Sequence, residues 1–300
     1  MTVLCLYGNK KLEHATQIAH GFFGRVGGIS PAPYDSLNCG FKTNDQADNI
    51  RQNLQIICRS LAEVFNTKPE HLHTVCQVHG NDVLVLDENN YHQNQIYKTQ
   101  ADSIVTKKKR IAIGVGTADC VPILLYDTQN QIIAAVHAGW RGAFAGVILR
   151  TIEVMMNLGS NLDTTIATIG PCISQDSYEV DDNFYANFIA QDKSNIEFFA
   201  GVNLKPISKQ VNSNLDTTRT GKNISDADKI LQNHNSTKSY YFDLRRYCNK
   251  KLCEAGIQKS NIQNIAIDTY QNPDKFFSCR HAKKSGSSEF GIQLSAIMLK

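Results

Sequence analysis

The sequence predicts a mixed α/β fold, organised as one domain around large sheets. Short apolar runs ("RIAIGVGT", "VPILLYD", "QIIAAVHA") separated by turn residues fit buried strands, although periodicity alone leaves buried helix open. Helix-period segments stand among those runs rather than apart from them, the order expected when sheets and helices share a core. No repeat or composition shift marks a boundary within the 300 residues, so the expected domain runs from 1 to 300.

The elements are taken in chain order. "HGFFGRVGGISPAPYDSLNCG" is rich in Gly, Pro and Ser and reads as a structured loop. Residues 46–65 place apolar side chains at helical spacing and read as an amphipathic helix. "HLHTVCQVHGNDVLVLD" reads as two strands joined by a tight turn at His79-Gly80-Asn81-Asp82. "DSIVT" is strand-like, and the basic run Lys107-Lys108-Lys109-Arg110 after it reads as a solvated turn before the three apolar runs. "FAGVILRTIEVMMNLG" then reads as a helix ending at Gly159, "TTIATIGP" as a strand, and "FDLRRYCNKKLCEAG" as a helix stopped by Gly256. From about 205 to 238, Asn, Ser, Thr, Lys and Asp dominate; such a segment buries too little apolar surface to offset its ordering entropy, and a mobile surface insertion is expected.

A hydrophobic content of 42% and a charged content of 20% are those of a soluble globular chain. The formal charge of +3 argues for neither a nucleic-acid nor a membrane partner. The start "MTVLCLYGNKKLEHATQ" lacks the basic segment and cleavage site of a signal peptide, and no apolar run approaches the ~18–20 residues of a membrane span. Nine cysteines at irregular spacing, with no CxxC pair, point to a reducing compartment, the cytoplasm.

Chemistry concentrates in "TADCVPILLYDTQNQIIAAVHAGWRG", which carries Asp119, Cys120, His137, Trp140 and Arg141 among apolar residues. His79, Cys120 and His137 each end a strand-like segment, where neighbouring strands bring their ends together. Three ligands far apart in sequence suit a catalytic metal site with an open fourth position, whereas structural zinc sites show closely paired ligands, four in number. Sulfur with two imidazoles favours Zn²⁺, with Cu²⁺ as the chemical competitor. The structural alternatives are plain: Cys120 as a small buried hydrophobe, His137 as a core histidine on a backbone carbonyl, His79 as a turn residue. "HAGWRGAFAG" comes after a strand and opens a helix, so its N–H groups would favour an anion, and Arg141 adds a charged fork suited to phosphate. Arg25, in "GRVGGIS", is the second such candidate; for either arginine the alternative is a surface salt bridge. Trp140 reads as a packing residue.

"QVHGNDV", "TADCVPILLYD", "AAVHAGWRG", "IGPCISQDSYEV" and "FFSCRHAKKSG" occur in the order seen in the YfiH or laccase-domain family, which this chain resembles from "GRVGGIS" to "FGIQLSAIML". The resemblance implies a single domain of two mixed sheets in a four-layer α-β-β-α arrangement. It implies His79, Cys120 and His137 as zinc ligands. The implied activity is phosphorolysis of adenosine, inosine, guanosine and methylthioadenosine, with adenosine deamination at the same site, hence small-molecule nucleoside and phosphate as partners. Under that reading Arg25 and Arg141 are candidates to hold phosphate, and Asp119 to orient a ligand or act in acid-base catalysis. Whether such a protein is a monomer or a homodimer stays open. The chain departs from the family pattern at Cys279 (for Tyr), His281 (for Arg) and Ile292 (where Arg is common), which puts phosphate affinity and substrate choice in doubt.

Rival readings use the same residues. One is a Cys-His hydrolase with Cys120 as nucleophile and His137 as base, or, in the same class, an amidase editing cell-wall precursors. Another is a copper-dependent polyphenol oxidase, although multicopper chemistry draws on more histidines than this triple offers. A third is a non-catalytic scaffold that keeps the fold, against which the intact ligand triple argues.

Overall fold

The computed structural model describes residues 5–6, 16–65, 69, 71–92, 96–201 and 239–300. The polar insertion expected at about 205–238 lies outside them. Where the sequence marks no boundary, backbone contacts group the chain into two compact units, Met1–Ser177 with Asp243–Lys300, and Tyr178–Phe242.

In order, the first unit contains β1 (Cys5–Leu6), β2 (Ile18–Phe23), α1 (Ala47–Phe65), β3 (His71–His73), β4 (Val83–Leu86), β5 (Ser103–Thr106), β6 (Ile111–Thr117), β7 (Val121–Asp127), β8 (Ile132–Ala138), α2 (Trp140–Phe144), α3 (Val147–Asn157) and β9 (Thr165–Ile169). The second unit holds β10 (Glu179–Val180), α4 (Asp182–Gln191), β11 (Phe199–Ala200) and β12 (Tyr240–Phe242). The chain then returns to the first unit with α5 (Leu244–Glu254), β13 (Ile262–Asn264), α6 (Cys279–Lys284) and β14 (Gln293–Leu299).

The first unit is built on two mixed sheets. One has five strands in the order β1-β2-β14-β6-β3, the other six in the order β13-β9-β7-β8-β5-β4. Each combines antiparallel pairs with parallel ones: β3 with β6 in the first, β13 with β9 and β4 with β5 in the second. Strand side chains alternate between faces, and the alternation divides the core. Phe22, Ile113, Val115 and Ile297 of the five-stranded sheet meet Ile104, Leu124, Tyr126 and Ile133 of the six-stranded sheet between the two. Their neighbours Ala19, Phe23, Ala112, Ala296 and Met298 face the other way, against Ile57 and Leu61 of α1. Helices α3 and α5 cover the outer face of the six-stranded sheet, which completes the α-β-β-α layering. Each large side chain buried in this way contributes roughly 1.5–3 kcal/mol relative to exposure.

Three local expectations are corrected. The two strands around His79 do not form a hairpin: β3 pairs with β6 in one sheet and β4 with β5 in the other, so residues 74–82 cross between the sheets. The helix expected to run to Gly159 is broken at Gly146, whose φ of +90° no helical residue adopts, into the short α2 and the longer α3. Finally, "HGFF" belongs to β2, paired along its length with β14, and the loop begins only after Phe23.

The second unit pairs the antiparallel sheet β10-β12-β11 with α4. Asp181 caps α4 by accepting from the Phe184 N–H. Its core is aromatic: Phe184, Phe188, Phe199 and Phe242 pack with ring centroids such as 4.6 Å for Phe188–Phe242 and 4.8 Å for Phe199–Phe242.

Candidate metal centre

The three residues singled out by chemistry come together at the ends of strands. Cys120 immediately precedes β7, and His137 lies near the end of β8, opposite Pro122 in the antiparallel register. His79 arrives from the crossing segment. One ligand atom from each of His79, Cys120 and His137 lies within 4.8 Å of the others, and among the described residues this is the group of three or more that is fit to hold a metal. The His79 Nε2 and Cys120 Sγ are 3.7 Å apart, and the two imidazoles meet edge to face with centroids 4.8 Å apart.

A fully buried carboxylate arranges two of the three. Asp102, just before β5, accepts from the backbone N–H groups of Val78 (3.2 Å), His79 (2.9 Å) and Gly80 (2.7 Å). It also lies 2.8 Å from His137 Nδ1. That contact leaves His137 Nε2 as the ligand atom, the orientation that a carboxylate behind a metal-binding imidazole commonly enforces. His79 itself has a φ of +60°, a left-handed conformation rare for a side-chain-bearing residue, and the Asp102 bonds hold it there.

Glycines make room. A Cβ on Gly139 would lie 2.6 Å from His79 Cδ2 and 3.0 Å from Cys120 Sγ, and one on Gly142 would lie 2.7 Å from the Gly80 carbonyl oxygen. The two glycines of "HAGWRG" are therefore what lets α2 pack against the segment carrying His79.

Electrostatics favour a bound cation. Burial, then the neighbouring His137, pushes the His79 pKa down to about 4, so the imidazole is neutral and its lone pair is available at physiological pH. Burial raises the Asp102 pKa, but its bonds from His137, Gly80 and Val78 outweigh that and hold the carboxyl below the usual range. Burial, with Asp119 alongside, pushes the Cys120 thiol up; a cation at this point would offset that cost by drawing out the thiolate.

The other sequence candidates separate. Asp119, with φ of +92°, is buried, and its oxygens accept from the Thr269 hydroxyl and the Arg280 N–H, each at 2.7 Å. It ties the segments around residues 269 and 280 to the turn that presents Cys120. Arg141 sits on α2, its guanidinium 4.8 Å from the Trp140 ring centroid, and its charge helps depress the His79 pKa. The helix it rides on is five residues long, so the dipole expected there is that of little more than one turn. Arg25 is engaged elsewhere. Its Nε donates to the Asp35 carbonyl (2.8 Å), its two terminal nitrogens to the Pro273 carbonyl (2.7 Å) and Asp35 Oδ1 (3.1 Å), and the fork lies 4.7 Å from the Phe277 ring centroid.

At the departures, Cys279 opens α6 behind the Ser278 cap, His281 packs near Tyr270 with centroids 5.6 Å apart, and Ile292 lies against Gly40 and Gly116. Sequence reasoning missed Asp102, which positions the segment carrying His79 and the His137 ring. The one signal for Asp102 is an acidic residue directly ahead of an apolar strand in "ADSIVT".

Comparison with known proteins is consistent with this geometry. The family model described as multi-copper polyphenol oxidoreductase laccase matches residues 19–217 and 193–300. A purine nucleoside phosphorylase of Rickettsia conorii is 35% identical over 224 residues, covering 75% of this chain and 76% of the relative. One of Bacteroides thetaiotaomicron is 27% identical and covers 96% of each chain. Among solved structures, the hypothetical protein YfiH of Bacillus licheniformis superimposes with a TM-score of 0.75 at 22% identity, covering 96% of this chain and 95% of its own. A Neisseria meningitidis protein does so with a TM-score of 0.74 at 23% identity over the whole of both chains. These two likenesses are of fold.

Proposed function

The chain belongs to the multi-copper polyphenol oxidoreductase laccase family, and on that premise we propose that it is a zinc-dependent purine nucleoside phosphorylase of the cytoplasm. Its substrates are adenosine, inosine, guanosine and methylthioadenosine, with adenosine deamination at the same centre. The observation that carries the reading is the His79-Cys120-His137 group, backed by the buried Asp102, in a chain whose relatives are named purine nucleoside phosphorylases.

The donor set fits a tetrahedral ion with one position open, and sulfur beside two imidazoles favours zinc over copper. When bound, such an ion supplies Lewis acidity and water activation near neutral pH. The chain's own residues do the rest. Asp102 fixes the His137 ring and the residue 78–80 backbone, so the ligands need little reorganisation when a substrate arrives. Arg141 provides a permanent positive charge for phosphate, holding it for attack on the anomeric carbon as the base leaves. Asp119 acts through position, holding the turn on which Cys120 is mounted.

A Cys-His hydrolase draws on one observation, the 3.7 Å approach of Cys120 to an imidazole. That imidazole is His79 rather than the His137 expected from sequence. Burial also raises the thiol pKa, the opposite of an activated nucleophile. The deciding experiment incubates zinc-verified protein with adenosine, and in parallel with inosine, guanosine and methylthioadenosine, each with and without phosphate, and separates the products. Adenine and ribose 1-phosphate appearing only with phosphate support the phosphorylase, and inosine supports the deaminase. No turnover of any of the four nucleosides sinks the reading and leaves hydrolysis.

A further inference from the structure

A second pair of histidines stands apart from the candidate centre. Strand β3 reads His71-Leu72-His73, and side chains two apart on a strand share a face. Leu72 packs with Ile57 and Leu61 of α1. His71 and His73 lie together, their ring centroids 5.4 Å apart and their planes 23° from parallel. β3 is the outermost strand of its sheet. His71 is exposed at that edge, whereas His73 behind it is 8% exposed. In the parallel register with β6, the two lie beside Ile111 and Ile113, while Gln77 bonds Gly116 near the other end of that strand on the way to His79. From Ile113 to Thr117, where β6 ends, is roughly 13 Å of strand.

The inner histidine carries the argument. Its ring donates to the Tyr91 backbone carbonyl, and its Nε2 is buried without a hydrogen-bond partner. The bonded nitrogen is therefore Nδ1, which holds the proton, and Nε2 keeps a bare lone pair. Leaving a buried polar atom unmet costs about 1–3 kcal/mol. An imidazole held at one nitrogen by a carbonyl is also the form that ligates a metal through the other. The spacing agrees. With metal–nitrogen bonds of ~2.0–2.1 Å, two imidazoles on one tetrahedral ion have centroids about 5 Å apart. His71 and His73 stand at 5.4 Å, and His79 and His137 at 4.8 Å. Because the His71 and His73 rings are nearly parallel, a nitrogen of His71 reaches the ion by rotation about χ2, a broad torsion in histidine. The cation at this corner, Lys108, lies 4.6 Å from the Tyr91 ring centroid and is met by Glu88 at 2.7 Å.

We propose that His71 and His73 form a second metal site, a two-histidine clamp at the edge of the five-stranded sheet for a divalent transition-metal ion. Imidazoles without sulfur or carboxylate suit Zn²⁺, Ni²⁺ or Cu²⁺, with water completing the shell. The clamp stands independently of the phosphorylase reading.

The test titrates Zn²⁺ by calorimetry into the full, untagged chain after chelator treatment and counts the equivalents bound. Wild type is compared with His71→Ala, His73→Gln, Cys120→Ala and a control, His92→Ala, which removes an exposed histidine next to Tyr91. Thermal melting confirms the fold of each variant; should His73→Gln fail to fold, His71→Ala decides alone. Wild type and His92→Ala are expected to bind two equivalents. One of the two is weakened about tenfold or more by His71→Ala and by His73→Gln, and is kept by Cys120→Ala. A wild type that binds a single equivalent, lost in Cys120→Ala, overturns the clamp. So does a second equivalent that either histidine variant, once folded, leaves at full affinity. A single equivalent that His71→Ala loses and Cys120→Ala keeps leaves the clamp standing and overturns the zinc centre of the proposed function instead.

Discussion

Two segments of this chain look alike in sequence and do opposite work. "GRVGGIS" and "HAGWRG" each set an arginine among glycines, and each uses a glycine to let something come close. At Gly28 the close neighbour is backbone: a Cβ there would lie 2.2 Å from the Ser36 carbonyl oxygen and 2.4 Å from the Leu37 Cα. At Gly139 it is a pair of side chains from the candidate metal centre, His79 and Cys120. The arginines divide in the same way. Arg25 pins the loop to Asp35 and Pro273, whereas Arg141 adds its field to an imidazole. The lesson is that glycine-arginine composition announces close approach and charge, and only the partner decides between structure and site.

The contrast breaks most visibly at the glycines. Gly139→Ala is expected to abolish zinc retention while the protein still melts cooperatively, because the added methyl displaces ligands rather than backbone. Gly28→Ala is expected to lose the fold, because the clash is with main chain that cannot move aside. Zinc content and thermal melting of the two variants check this, and a Gly139→Ala protein with full zinc would remove the steric argument.

Next in size is the carboxylate that makes one of these segments a site. Asp102→Asn keeps the shape but replaces one acceptor oxygen by an NH₂ group that faces backbone N–H donors. Zinc affinity, measured by competition with a chelator, is expected to fall about 10- to 100-fold, the usual cost of losing a partner behind a metal ligand. An unchanged affinity would mean that the crossing segment holds His79 without Asp102.

How far the sequence could be read obeys the same division. The strands β6, β7 and β8 and the helices α1 and α5 were legible because burial imposes a local pattern, apolar runs or helical spacing, that needs no knowledge of partners. The pairing of β3 and β4 was not, since two strands on either side of a turn read as a hairpin unless something pulls them into different sheets. What lies at that crossing is Asp102, more than twenty residues downstream of His79 in sequence, binding three successive N–H groups that carry no side-chain signature. Gly146 broke a helix that apolar spacing alone carries through. The ligand triple was chemically plausible from its residue types, but three among many Cys and His become a set only through the family's ordered motifs or through coordinates. Arg25 shows the same limit: its partners at Asp35 and Pro273 are backbone carbonyls, which leave no trace in composition.

Protonation separates site from core more gently. His20 on β2 is 1% exposed, and burial lowers its pKa to about 4. Above about pH 6.5 it is neutral folded or unfolded and contributes nothing to the balance. As pH falls from there towards 4 the unfolded chain takes up a proton that the folded one refuses, so stability is lost with acidification. Between pH 7 and pH 5 the loss is about 2 kcal/mol. Urea denaturation at the two pH values checks it, with His20→Gln expected to flatten the slope by that amount; an unaltered slope would mean that folded His20 ionises normally.

The finest test exchanges charge-preserving residues between the two look-alike segments. Arg25→Lys keeps one donor direction and forfeits the fork that serves two carbonyls and a carboxylate, so the expected loss is about 1–2 kcal/mol in urea with KM for phosphate unchanged. Arg141→Lys should leave stability alone and raise KM for phosphate by up to about tenfold, since a lysine supplies the charge without the bidentate geometry. The two variants thus move different observables although they make the same chemical change. If Arg25→Lys instead shifts the phosphate KM and spares stability, the loop arginine belongs to the site, and the distinction drawn from its carbonyl partners is wrong.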